Sequence, residues 1–209
     1  MGIMIVMPAN NTGRVVKNLF DLYPDRIALL LNPHEPSPHQ FKFRFAVDNA
    51  AYSNFDEPKF FKLLDKIKKE SPTNLPMFVV CPDVVGCHYR TLALWKYYLP
   101  IMKTYNFKLA FVAQDGCVLS TVPPEADWVF IGGTDLWKVD HIKEFIAPDR
   151  PVHVGRVNSL WLLEYCESIG VASIDGSGWM RARHRKFNDL MEWFKGERSQ
   201  KELWPADQK

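Results

Sequence analysis

Eight short runs of β-branched, aliphatic and aromatic residues punctuate this chain, at 3–7, 26–30, 43–47, 77–81, 108–113, 128–131, 152–154 and 171–174. Each is continuous rather than alternating, the pattern of parallel strands buried on both faces. Stretches with helical spacing separate most of them. Val15, Val16, Leu19, Phe20 and Leu22 form one such stripe, and Phe60, Phe61, Leu63, Leu64 and Ile67 form another, which ends at Ser71-Pro72. Residues 89–102, 136–146, 160–169 (closed by Gly170) and 187–194 supply the rest. Two connections lack a helix signal: 32–40, with three prolines in nine residues, and 116–127, with Pro123-Pro124. Strands alternating with helices require right-handed crossovers and a parallel sheet. Eight units predict an α/β fold, a compact closed (β/α)8 TIM barrel with one or two helices missing or shortened, and the chain length is at the low end for it. An open doubly wound sheet is the alternative. No repeat or linker interrupts the pattern, so residues 1–196 read as a single domain and 197–209 as a polar tail.

Charge and cysteine content narrow the setting. Lys and Arg number 26 against 24 Asp and Glu, which excludes a polycation and an acidic tail but leaves room for a local basic face. The four cysteines, Cys81, Cys87, Cys117 and Cys166, form no CxxC pair and are too few for a disulfide framework. No apolar run reaches the ~18 residues of a membrane span. The opening MGIMIVMPANN lacks the basic start and long apolar stretch of a signal peptide. The expectation is a cytoplasmic protein working in a reducing compartment, with no membrane partner.

In such a barrel, chemistry gathers at the C-terminal ends of the strands. Just past the third run stands Asp48, past the fourth Asp83, past the fifth Gln114-Asp115-Gly116, past the sixth Gly132-Gly133, past the seventh Gly155-Arg156 and past the eighth Asp175-Gly176. Four strands would thus deliver carboxylates to one mouth. Clustered carboxylates drive each other's acidities apart, which suits chemistry at a sugar anomeric carbon: one attacks or stabilises positive charge, another moves a proton. An aspartate at a strand end can equally cap the next helix.

Five segments carry a resemblance in order along the chain: FAVDNAAYSNF (45–55), FVVCPDVVG (78–86), FVAQDG (111–116), FIGGTDLWK (130–138) and VHVGRVNSLWLLEYCESIGVASIDGSGW (152–179). With these the chain resembles the tRNA-guanine transglycosylase superfamily, and looks closest to the small phage and bacterial branch that places 7-deazaguanines into DNA. The resemblance implies that Asp175 is the nucleophile and Asp48 the general acid/base. It implies that Asp83 reads the guanine Watson–Crick edge, that Gln114 contacts the heterocycle carbonyl, and that Gly132 and Gly133 lie against the base. Two motifs depart from the family: DNAAY carries alanines where the family has glycines, and Asp115, itself a candidate substrate-binding residue beside Gln114, replaces a glycine in QDG. The zinc-binding cysteine cluster of the tRNA enzymes has no counterpart after Asp175. The implied activity is DNA-guanine transglycosylation: guanine in DNA is exchanged for a 7-deazaguanine base, such as the 7-cyano form, through a covalent aspartyl-deoxyribose intermediate. No metal or redox cofactor is implied. The implied partners are DNA, the incoming base and other DNA-modification proteins, in a bacterial or phage-infected cell.

Other features have simpler readings beside functional ones. Between 179 and 201 seven basic residues outnumber three acidic ones, with Arg181, Arg183, Arg185 and Lys186 closest to the catalytic strand. They are candidates for DNA phosphates, with Arg156 the best single one; the bland alternative is a solvated helix face. Trp179 is a candidate for base stacking. His34 and His39 read as solvated loop residues, Cys81 as a buried strand residue and Cys87 as a small helix-start residue, Trp95, Tyr97, Tyr98 and Leu99 as a helix stripe against the barrel, and Asp127, Asp135 and Asp140 as caps. Three competing functions remain: a nucleosidase or base hydrolase using the same carboxylate pair, a tRNA-guanine transglycosylase, and a non-catalytic DNA-binding subunit.

Overall fold

A computed structural model describes residues 3–10, 13–34, 38–147, 149–181 and 185–196. Its eight strands are β1 (Ile5–Met7), β2 (Leu29–Leu31), β3 (Phe45–Val47), β4 (Val79–Val80), β5 (Leu109–Ala113), β6 (Trp128–Ile131), β7 (Val152–Val154) and β8 (Ser173–Asp175). All pair in parallel, in the order β1-β8-β7-β6-β5-β4-β3-β2. A parallel bridge between Val6 and Ile27 joins β1 to the segment entering β2 and brings the two sheet edges together. The fold is therefore the (β/α)8 barrel and not the open sheet. The ladders are shorter than the apolar runs, because burial continues past the last paired residue: Phe78 and Cys81 flank β4 and are buried. The eighth run is shifted, and Asp175 is itself the last residue of β8.

Helices α1 (Arg14–Leu22), α2 (Glu57–Glu70), α3 (His88–Lys103), α4 (Asp135–His141) and α5 (Leu160–Ser168) fill five of the connections. Asp56 caps α2 through Lys59 N–H, and Ser159 caps α5 through Leu162 N–H. Among the described residues the two connections without a helix signal hold only 3-10 turns, Pro38–Lys42 and Leu119–Thr121, since prolines remove the N–H groups a helix would need. After β8 come a four-residue helix, α6 (Gly178–Arg181), which periodicity did not predict, and α7 (Arg185–Lys195). The polar tail expected at 197–209 lies outside the described residues. Among the described residues no helix is long and apolar enough to cross a membrane.

Strand alternation divides the core in two. Outward residues such as Val6, Leu29, Phe45, Val79, Phe111, Val129 and Ile174 pack under the helices. Inward residues, among them Met7, Ala28, Ala46, Phe78, Val80, Ala110, Val112 and Trp128, form a separate cluster inside the barrel. There the large rings of Phe78 and Trp128, 4.7 Å apart, alternate with alanines, which lets the layers interlock and plugs the barrel. The helix stripe of α3 is only partly inward: Trp95 and Tyr98 are buried, whereas Tyr97 is exposed.

One residue pins the last helix. Arg26, in the loop before β2, lies 4.0 Å over the Trp193 ring and 5.3 Å from that of Phe194, donates to the Phe194 carbonyl, and meets Glu167, which also accepts from Trp193 Nε1. Arg26→Ala should cost about 1–3 kcal/mol of stability. Urea unfolding reads the loss, and amide exchange should quicken in α7 before the strands.

Candidate active site

Strand parity carries the polar groups inward. Along β3, Ala46 faces the barrel interior, and so must Asp48 two residues later; the same step takes Val112 to Gln114 on β5, Phe130 to Gly132 on β6 and Ser173 to Asp175 on β8. These residues surround one cavity at the C-terminal mouth, with about 490 Å3 of atom-free space including the part open to solvent. Leu30, Val80, Val112 and Phe130 make an apolar floor, and Asp48, Asp83, Gln114 and Asp175 stand on it. The sequence-derived pair Asp48 and Asp175 thus converges on a single pocket.

Burial, then the facing charges of Asp175 and Asp83, push the Asp48 carboxyl up to about 7, against the N–H groups of Ala50 and Asn49. Asp83 is also raised by burial, opposed by hydrogen bonds from Asn49 and Gln114. Asn49 Nδ2 donates to Asp83 Oδ1 and to the Cys81 carbonyl, both at 2.7 Å. Gln114 Nε2 donates to Asp83 Oδ2 at 2.6 Å, while its Oε1 accepts from Gly86 N at 2.8 Å and Gly133 N at 2.9 Å. Two backbone donors on one atom identify that atom as the oxygen, so the amide orientation is settled chemically. Asn49 was not singled out by sequence, yet it joins the Asp48 loop to Asp83.

The glycines have distinct reasons. A Cβ on Gly132 would stand 2.7 Å from Gln114 Nε2 and 2.8 Å from Val112, so the backbone can pass the amide only without a side chain. Gly133 has φ +60° and lies against Trp137. Asp115 does not line the cavity, contrary to the substrate-binding role expected of it. Its Oδ1 accepts from Thr134 Oγ1 at 2.7 Å and its Oδ2 from Thr134 N at 2.8 Å, which ties the β5 loop to the β6 loop. Burial would raise Asp115, but the Thr134 donors outweigh it and hold the carboxyl below its ordinary range. Ala50 has φ +62°, a left-handed turn retained although no glycine occupies it. Ala50→Gly should relieve about 1 kcal/mol of strain, read as a higher unfolding midpoint in urea.

Asp175 Oδ1 accepts from His153 Nε2 and from Arg156 N, both at 3.1 Å. His153, fully buried on β7, was missed by sequence reading; its only signal was a polar residue at an inward strand position, level with Ser173. Tyr52 was missed too. It is exposed, borders the cavity, and its ring lies 4.7 Å from the Arg156 guanidinium. Arg156 also donates to the Gly133 carbonyl and meets Asp135 at 3.6 Å, so it borders the mouth but is already held by protein groups. Lys138 is buried on α4 and donates to the Gly155 carbonyl at 2.6 Å.

Of the basic candidates, Arg181 and Arg185 are exposed and Lys186 is half-buried, on α6 and the first turn of α7; Arg183 lies outside the described residues. Trp179 is fully buried, which removes it as a base-stacking surface. Asp127 accepts from Leu109 N at 2.8 Å and so ties the β6 entry to β5, while Asp135 opens α4. His34 and His39 are exposed. Burial pushes the Cys81, Cys117 and Cys166 thiols up, which suits packing and not nucleophilic attack. Among the described residues no group of three or more His, Cys, Asp or Glu is arranged to hold a metal ion. No protein-family model matches the chain, and no curated protein matches it either.

The raised Asp48 has a definite linkage sign. Unfolded, it titrates near 3.8; folded, near 7. Its contribution to stability is therefore full below about 4 and is lost as pH rises toward 7. Asp48→Asn removes this dependence. The melting temperature of the variant relative to wild type should rise between pH 4 and pH 7 and level off above, measured by thermal scans across that range. A flat difference would assign Asp48 ordinary acidity.

Proposed function

We propose that the protein is a DNA-guanine transglycosylase that replaces guanine in DNA by a 7-deazaguanine base. The observation that carries this reading is the pair of aspartates facing one cavity, with Asp48 raised to about 7 and Asp175 held by two N–H donors. The resemblance of the strand-end motifs to the transglycosylase superfamily supports it, as do the apolar floor and the amide-buttressed Asp83. A target base in a duplex has to leave the stack to enter such a pocket.

In this reading Asp175 bonds to C1′ while the C1′–N9 electron pair leaves with guanine, and Asp48 supplies the proton the departing base needs. The incoming 7-deazaguanine then gives its N9 proton to Asp48 and bonds to C1′, and the ester electron pair returns to Asp175. An acid near neutrality serves both directions. Asp83 accepts from the guanine N1–H and exocyclic amine beside the Asn49 and Gln114 donors it already holds; adenine lacks that donor pair and turns its own N1 lone pair toward the carboxylate. In this reading the second Gln114 Nε2 hydrogen donates to the base carbonyl. A 7-deaza base has carbon in place of N7, so it lacks that site for leaving-group protonation, which makes the exchange one-way. Exposed Arg181 and Arg185 suit the DNA phosphates, and other DNA-modification proteins would supply the incoming base.

The test mixes protein, a guanine-containing DNA oligonucleotide and labelled 7-cyano-7-deazaguanine. Label should enter DNA, and a denaturing gel should show a protein–DNA adduct. Asp175→Ala should abolish both, and Asp48→Asn should lower exchange by at least about a hundredfold while DNA is still bound. Base loss without incorporation would instead support the hydrolase, and incorporation into tRNA alone the tRNA enzyme. Full exchange by Asp175→Ala would remove the nucleophile.

A further inference from the structure

Ser173 and His153 form a hydrogen-bonded row with Asp175 inside the barrel, and the exchange mechanism gives Ser173 and His153 no part of their own. His153 and Ser173 are direct partners in the β7–β8 register, and Asp175 lies two residues on, on the same inward face. His153 is fully buried, with ring centroids of Phe130 and Phe78 at 4.6 and 5.2 Å. An imidazole in such surroundings needs both nitrogens satisfied. Its Nδ1 is 2.8 Å from Ser173 Oγ and its Nε2 is 3.1 Å from Asp175 Oδ1. An ionised carboxylate only accepts, so Nε2 carries the hydrogen; in a neutral ring Nδ1 then accepts, and Ser173 O–H donates.

The row makes the two oxygens of Asp175 unequal. Oδ1 takes the His153 N–H and the Arg156 backbone N–H. Among the described residues no donor is on Oδ2. We propose that His153, set in its tautomer by Ser173, is the positioning residue for Asp175: it holds Oδ1, leaves Oδ2 to bond to the sugar, and stabilises the carboxylate when it departs. This rests on Asp175 being the nucleophile. When Oδ2 bonds to C1′ and the base takes the C1′–N9 electron pair, Oδ1 becomes an ester carbonyl, a weaker acceptor. When N9 of the incoming base bonds to C1′, the C1′–Oδ2 pair returns to the carboxylate and the His153 hydrogen bond strengthens again. The donor therefore favours the second half of the reaction, in which the ester is resolved.

His153→Phe fits a cage of rings but removes the donor. Its exchange kcat should fall about ten- to hundredfold, with the KM for the base little changed. The share of enzyme trapped as the DNA adduct at steady state should rise. His153→Gln, which can offer an amide N–H near the Nε2 position, should restore most of the rate. Wild-type turnover in His153→Phe, a slowed turnover with no rise in adduct, or His153→Gln as impaired as His153→Phe would each overturn the proposal. Nitrogen-15 spectra of the folded wild-type protein should show His153 as the Nε2–H tautomer; an Nδ1–H ring overturns it regardless of activity. Wild-type protein that forms no Asp175-dependent adduct sinks the exchange reading itself, while the nitrogen spectrum still decides whether His153 holds Oδ1.

Discussion

The site depends on the alternation of side chains along strands closed into a ring. A residue two positions beyond an inward residue also faces in, and in a closed barrel every inward position leads to the same axis. Ala46, Val112, Phe130 and Ser173 are inward, so Asp48, Gln114, Gly132 and Asp175 meet at the mouth although more than 120 residues separate the first from the last. The rings of Phe78 and Trp128 fill the barrel below, and the acidic groups have nowhere to go but upward.

Carboxylates collected there repel one another in an environment poor in water. The protein meets this in two ways. Asp48 takes up a proton near neutrality. Asp83 and Asp175 are given donors: two side-chain amides for the first, an imidazole and a backbone N–H for the second. A buried charge is tolerable when it is hydrogen-bonded, and a buried acid is tolerable when neutral. The distribution of side-chain donors thus sets Asp48 apart from Asp83 and Asp175. The same donors account for nearby residue choices: Gly132 leaves room for the Gln114 amide, and Asp115 has turned away to hold Thr134.

The barrel was legible because a strand buried on both faces must be apolar throughout, and eight such runs with intervening helices leave few topologies. Helix loss at the two proline-bearing connections was legible for the same local reason. What failed were judgements needing a direction in space. Trp179 follows β8 in sequence, yet the turn into α6 drives its ring into the core. Asp115 directly follows an inward residue, so the next step of the chain points it at a neighbouring loop. Tyr97 belongs to an aromatic stripe whose other members, Trp95 and Tyr98, take the buried side of the helix.

By itself the sequence determined the alternation of strands and helices, the barrel class, and the aspartates at the third and eighth strand ends, because these follow from local hydrophobicity and position along a strand. Only the tertiary structure decided which polar groups touch. The His153–Asp175 contact depends on the β7–β8 register, and the Asn49–Asp83–Gln114 chain on three strands brought side by side. Hydrogen bonds act over about 3 Å, and residues distant in the chain reach that separation only when the ring closes.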